Sequence, residues 1–200
     1  MIKNNKKIVI AGAGSIGCYV GGMLASGGAN VVFLARSRIA NDLSNKGLHL
    51  SDWTGIEVKL PADQLNISTG ASVLTDADLI LICVKSKDSI EMATAILNSG
   101  NTKATIFSCQ NGVSNVPTIK SVLSNHIVLP VMVPYNVVYE VGGHFHCGTE
   151  GQLYCQDHHN ATPLQEAAQN GNLGFELRPD MMSVLWGKYK HLTQPTNRIG

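Results

Sequence analysis

Apolar residues recur along this chain in unbroken blocks rather than in strict alternation with polar ones. The first block, Lys7 to Ile10, is short and β-branched and runs into a glycine turn, which predicts a strand. Ser15 to Ser26 follows with Ile16, Val20, Met23 and Leu24 at helical spacing, and Gly27-Gly28 stops it. Asn30 to Ala35 (NVVFLA) reads as a second buried strand. Together these form a strand-helix-strand unit whose continuous apolar runs suit a parallel sheet covered on both faces.

The alternation continues downstream. GLHLSDWTGIEVKL reads as a polar hairpin inserted after the next helix, and Ala77 to Lys85 (ADLILICVK) as another buried strand. Asp88 to Leu97 is expected to be helical, Lys103 to Gly112 repeats the strand pattern, and a helix is expected from Asn115 to Leu123. HIVLPVMVPYNVVYEVGGHFHCGTEGQLYCQ is strand-rich and ends in alternation, predicting an antiparallel addition to the sheet. Thr162 to Gln169 reads as helix. RPDMMSVLWGKYKHLT begins another, with Asp180 as N-cap, before Pro195 breaks it.

Composition narrows the class. With 200 residues, 44% of them hydrophobic and 14% charged, the chain can bury a real core. A net charge of +1 gives no electrostatic reason to expect nucleic acid or an anionic membrane as partner. The basic N-terminus precedes an apolar run far too short for a signal peptide, and no stretch approaches the ~20 residues that span a bilayer. A soluble, cytoplasmic protein is expected. Cys18, Cys83, Cys109, Cys147 and Cys155 are scattered and odd in number, which favours buried free thiols over a disulfide framework.

The first turn carries the chemistry. Gly12-Ala13-Gly14-Ser15-Ile16-Gly17 fits G-x-G-x-x-G, between a predicted strand and a predicted helix, with a second strand beyond. Gly12 permits the tight turn, Gly14 lets a pyrophosphate approach the backbone, and Gly17 lets the helix pack on the strand. Sites that prefer NAD usually end the second strand in a carboxylate that binds the ribose hydroxyls. This one ends in Ala35-Arg36-Ser37-Arg38, where a guanidinium pairs with a 2′-phosphate. The residues therefore favour NADP, with Arg36 as the principal contact and Ser37 and Arg38 as helpers.

Three further stretches carry a family resemblance. LILICVKS ends a strand in Lys85, SCQNG ends the next in Asn111-Gly112, and LWGK places Lys188 on a late helix. In that order behind the glycine loop and Arg36, they resemble ketopantoate reductase (2-dehydropantoate 2-reductase). The resemblance implies a Rossmann-type α/β fold, a mostly parallel sheet with an antiparallel extension. It implies NADPH-dependent reduction of the 2-oxo acid ketopantoate to pantoate, on the way to pantothenate and coenzyme A. By the same resemblance Lys85 and Asn111 contact the cofactor, Asn111 also holds substrate, and Lys188 contacts the substrate and is the general acid. A turn role for Asn111, in an Asn-Gly pair, stays open beside that reading.

Past Lys188 the family pattern departs. The residue four after it is Leu192, and Asn197 lies beyond Pro195. A full member needs about 100 more residues to build its helical substrate domain. The expected organisation is an NADP-binding domain over 1–179 and the beginning of a truncated helical domain over 180–200. Its exposed apolar helix would favour self-association. A non-catalytic NADP-binding module and a fragment of a related dehydrogenase stand as alternatives. His144 and His146 alternate on a strand-like stretch near His158 and His159, but no third ligand stands at a recognisable spacing, so no metal is expected.

Overall fold

A computed structural model describes residues 6–181 and 183–185. Lys188 and most of the expected second domain, 180–200, lie outside them. Five strands, β1 (Lys7–Ala11), β2 (Asn30–Leu34), β5 (Asn66–Ser68), β6 (Leu79–Ile82) and β7 (Thr105–Ser108), pair in parallel, and β8 (Val128–Met132) joins β7 in the same sense. β11 (Leu153–Gln156) then adds antiparallel to β8, and β12 (Phe175–Arg178) parallel to β11. The resulting eight-stranded sheet has the order β12-β11-β8-β7-β6-β1-β2-β5. The mostly parallel α/β class and the antiparallel extension are as expected.

The unbroken apolar runs have their reason in this sheet. Ile8 and Ile10 of β1, Leu79 and Leu81 of β6, and Phe107 of β7 face one core. Their neighbours Val9, Ala11, Ile80, Ile82 and Ile106 face the other. Side chains still alternate, but both faces are dry, so both must be apolar.

Helices α3 (Ser89–Asn98) and α4 (Asn115–Val122) cover the second face through Ala93, Ile96 and Ile119. The first face takes α1 (Ser15–Ser26) and α5 (Thr162–Asn170). Over α1 lies a second sheet of four strands, β4-β3-β10-β9, made of β3 (Leu48–Asp52), β4 (Glu57–Leu60), β9 (Val137–Tyr139) and β10 (His144–Cys147). The hairpin β3/β4 is antiparallel as expected, but β9 and β10 do not extend the main sheet. β10 pairs in parallel with β3, across nearly half the chain. Its buried residues Phe145 and Cys147 join Leu48 and Leu50 on one face of the second sheet, and all four pack in the core that holds α1. A Cβ on Gly22 would come within 2.6 Å of Leu48, so α1 meets the second sheet almost backbone to side chain.

Residues 175–178 form the edge strand β12. Asp180 begins the helical turn, as expected, its carbonyl accepting from Ser183 and Val184. Its carboxylate receives two bonds from Arg178, Nε at 3.0 Å and Nη2 at 3.1 Å, which hold the Asp180 pKa below its ordinary value. All five cysteines are free thiols.

Candidate cofactor cleft

β1 is the point at which the strand order reverses, with β2 on one side and β6 on the other. In open α/β sheets a crevice forms at the carboxyl ends of strands flanking such a point. A cleft of about 850 Å³ lies there, bordered by Gly12–Ser15, the end of β2, and the segment after β6.

The glycine loop divides its labour. Gly12 has φ +103, and a Cβ there would sit 2.5 Å from Val84 Cγ1. Its N–H and that of Ala13 both donate to the Leu34 carbonyl, at 3.2 and 2.9 Å, while the Gly14 N–H donates to Gly12 O at 2.8 Å. The first two amides hold the loop against β2 and the third closes the turn on itself, so none of the three is turned to a ligand. One step further on, the first-turn amides of α1 have no carbonyl of their own helix to bond and are the ones that could hold an anion. No side chain caps them and no carboxylate stands in that turn, so the helix dipole faces the cleft uncompensated.

Gly14 is exposed, and a Cβ there would meet nothing within 4 Å. That open space above the loop fits the approach of a phosphate pair to the backbone. Gly17 is the opposite case, since a Cβ would strike Gly12 O at 2.5 Å and Ile10 Cγ2 at 2.9 Å. Gly17 is buried and Ile16 packs against the core. Neither lines the cleft; both support the loop from beneath.

Charge gathers around the cleft. Arg36, Arg38, Lys85 and Lys87 line it against two carboxylates, Asp88 and Glu91. Arg36 Nη2 lies 3.2 Å from Asp88 Oδ2, with 87% of the Arg36 side chain exposed. Arg38 is held differently, its guanidinium 5.3 Å above the Tyr139 ring, while the Tyr139 hydroxyl donates to Asp42 at 2.5 Å. That bond, more than burial, raises the Tyr139 pKa. Lys85 is exposed just beyond β6, where its carbonyl accepts from the Asp88 N–H.

Asn111 follows β7, the neighbour of β6, so it and Lys85 do stand beyond the ends of adjacent strands. It is exposed but outside the cleft lining. The left-handed backbone of the Asn-Gly pair falls on Gly112, at φ +106, and not on Asn111. A turn requirement therefore does not account for Asn111.

Several residues that hold this rim gave no sequence signal. Gln110 Nε2 donates to both Val84 O and Ser89 Oγ at 2.8 Å, joining the end of β6 to the start of α3. Asn115 Nδ2 donates to Asn111 O at 2.7 Å and fixes the Asn-Gly turn. Both side chains are buried. Gln110 and Asn115 are ordinary polar residues near a predicted strand end, and only the fold brings their partners to them. Lys87 sits in a short turn, Ser86–Asp88, that no periodicity marks. Cys83 also borders the cleft. Behind it, the Cys109 thiol is pushed well up by its contact with Cys83 and by burial.

Fold and cleft together define a doubly wound α/β protein of the Rossmann type. The chain belongs to the family described as ketopantoate reductase PanE/ApbA, which matches residues 8–160. Among curated relatives, a 2-dehydropantoate 2-reductase of Halobacterium salinarum is 34% identical over 123 residues, covering 60% of this chain and 38% of the relative. One of Archaeoglobus fulgidus is 25% identical over 190 residues, covering 92% of this chain and 60% of its own. A PanE/ApbA family ketopantoate reductase from Ralstonia eutropha superposes with a TM-score of 0.82 at 30% identity, over 91% of this chain and 59% of that one. The chain thus spans less than two thirds of the length of these relatives. None of the described helices is long and apolar enough to cross a membrane.

Proposed function

We propose that this chain binds NADPH and serves the reduction of the 2-oxo acid ketopantoate to pantoate. The observation that carries the proposal is the cationic cleft at the reversal of strand order, with an uncapped helix N-terminus at its floor, in a chain of this family. A nicotinamide dinucleotide, when bound, supplies hydride to a ketone carbon.

The chain's own residues have distinct tasks. The Ser15 amide, at the head of the α1 dipole, binds the pyrophosphate across the open space at Gly14, with Gly12 and Ala13 shaping the loop and Ile16 and Gly17 supporting it from beneath. Arg36 pairs with the 2′-phosphate by charge-assisted bonds, with Ser37 and Arg38 at its side. The absence of a carboxylate at the end of β2 removes the repulsion that would otherwise exclude a third phosphate. Lys85 and Asn111 position the cofactor from the ends of β6 and β7, and Asn111 also orients the substrate. Lys188, by the resemblance of LWGK, contacts the substrate and donates a proton to the ketone oxygen as negative charge grows there. Residues 1–179 are the cofactor domain in this reading, and 180–200 begin the substrate domain.

The test is loss of NADPH absorbance on adding ketopantoate to the chain, against a Lys188→Ala control. Ketopantoate-dependent oxidation that the substitution abolishes supports the reductase. NADPH binding without oxidation would identify a binding module instead, and no NADPH binding would refute both.

A further inference from the structure

The outward face of the second sheet carries a cluster that the cofactor cleft does not use. Register sets His144 beside His49 and His146 beside Ser51. All four point away from the buried face formed by Leu48, Leu50, Phe145 and Cys147. Ser51 Oγ lies 2.7 Å from His144 Nε2 and 2.9 Å from His146 Nδ1. On its other side, His144 Nδ1 lies 2.7 Å from a carboxylate oxygen of Glu140.

With His144 neutral, one direction of the hydrogen bonds satisfies every partner. A carboxylate only accepts, so the His144 proton sits on Nδ1 and leaves Nε2 to accept the Ser51 hydroxyl. Ser51 Oγ in turn accepts from His146 Nδ1. The His49 ring stacks on His144 with centroids 4.0 Å apart and planes 13° from parallel, holding the imidazole in its plane. Among the described residues no group of three or more His, Cys, Asp or Glu is placed to hold a metal ion, so the cluster is organised around the serine.

We propose that Ser51, His144 and Glu140 form a second reactive site that takes acyl groups from small activated esters. A nucleophile within hydrogen-bond reach of a base, which is itself oriented by a third group, is the geometric signature of such chemistry on unrelated folds. Ser51 is partly exposed, and the His144 and Glu140 side chains are 24% and 52% exposed. These partial exposures leave the cluster within reach of a short acyl donor. Ser51 Oγ attacks the ester carbonyl carbon while its proton passes to His144 Nε2. The bond from that carbon to the alcohol oxygen then breaks, and the alcohol leaves with the proton. Water repeats the sequence and frees Ser51. Glu140 is a positioning residue, since it acts through His144.

The experiment treats the full chain with a fluorophosphonate serine probe and a chromogenic acetate ester, followed by intact mass and peptide mapping. The expected result is one adduct per chain, at Ser51, and none in Ser51→Ala. His144→Gln should slow labelling by at least about tenfold. Glu140→Gln should slow it too, and Glu140→Asp should recover part of the loss, which a merely structural carboxylate would not produce. Circular dichroism melts identify any variant that fails to fold, and the exposed Glu140 pair keeps the test decisive if His144→Gln does. An unlabelled Ser51, adducts on lysines alone, or equal labelling rates in the Glu140→Gln variant would overturn the proposal. None of these outcomes depends on the cofactor cleft.

Discussion

Gly14 and Gly17 belong to one motif, yet the structure predicts opposite consequences for replacing them with alanine. At Gly17 the new Cβ meets a backbone oxygen at 2.5 Å and a β1 side chain at 2.9 Å. The oxygen belongs to the loop itself and cannot swing aside. Overpacking of this kind costs about 1–3 kcal/mol, partly offset by the roughly 1 kcal/mol helix preference of alanine over glycine. The net loss is therefore about 0–2 kcal/mol, or a melting point lower by up to about 8 °C in a domain of this size. At Gly14 the Cβ enters open space, and the only structural cost is a poorer N-cap, at most about 1 kcal/mol. The methyl group does occupy the approach to the α1 amides. A clash of about 1–3 kcal/mol there weakens NADPH binding roughly 5- to 150-fold. Calorimetric titration and thermal melts on both variants read the two effects separately. A folded Gly14→Ala chain with wild-type NADPH affinity would refute the assignment of this loop to phosphate binding.

Further expectations follow from individual contacts. Asp88→Asn frees Arg36 from its ion pair; an exposed pair of this kind is worth up to about 1 kcal/mol, so NADPH affinity should rise up to about fivefold with NADH unaffected, by fluorescence titration. Cys83 borders the cleft while the other four thiols are buried, so maleimide should modify Cys83 first and NADPH should protect it, as peptide mapping will show. Asp78 is partly desolvated, which opposes its ionisation, but bonds from Lys6 Nζ and the Lys7 N–H outweigh this and lower its pKa. A depressed carboxylate stabilises the fold above its unfolded pKa of about 3.9 and loses that contribution as pH falls further. Asp78→Asn should accordingly flatten the acid limb of the denaturation curve. His49 is held below its ordinary pKa, first by burial and then by His144. Its contribution is complete above about pH 6.5 and fades as pH drops below it, so His49→Phe should reduce destabilisation between pH 7 and 5 in urea melts.

Local pattern was enough for the elements around β1. Ile8–Ala11, Ser15–Ser26 and Asn30–Leu34 are long enough, apolar enough and close enough in sequence to declare themselves. The edge strands were different. Asn-Ile-Ser at β5 and Phe-Glu-Leu-Arg at β12 have little apolar signal and exist because a neighbouring strand offers its hydrogen-bonding edge. The destination of β9 and β10 was equally hidden, since the pairing of His144 with His49 is a contact between distant segments and no local rule assigns it. In the cleft, residue types revealed the glycine turn and Arg36. They did not reveal that Gly12, Ala13 and Gly14 bond inward, that Asp88 claims Arg36, or that Gln110 and Asn115 brace the rim. Those facts depend on where side chains arrive after folding.

The central claim is that the amides of the α1 N-terminus hold a dinucleotide pyrophosphate while Arg36 selects the phosphorylated ribose. The most direct measurement is a paired titration of the wild-type chain with NADPH and with NADH, repeated on Arg36→Asp. Charge-assisted bonds to a phosphate are worth about 1.5–3 kcal/mol, so the wild-type chain should bind NADPH at least about tenfold more tightly than NADH. In Arg36→Asp that preference should vanish or reverse. Equal affinity for the two nucleotides in the wild-type chain, or an undiminished NADPH affinity in the variant, would contradict the account.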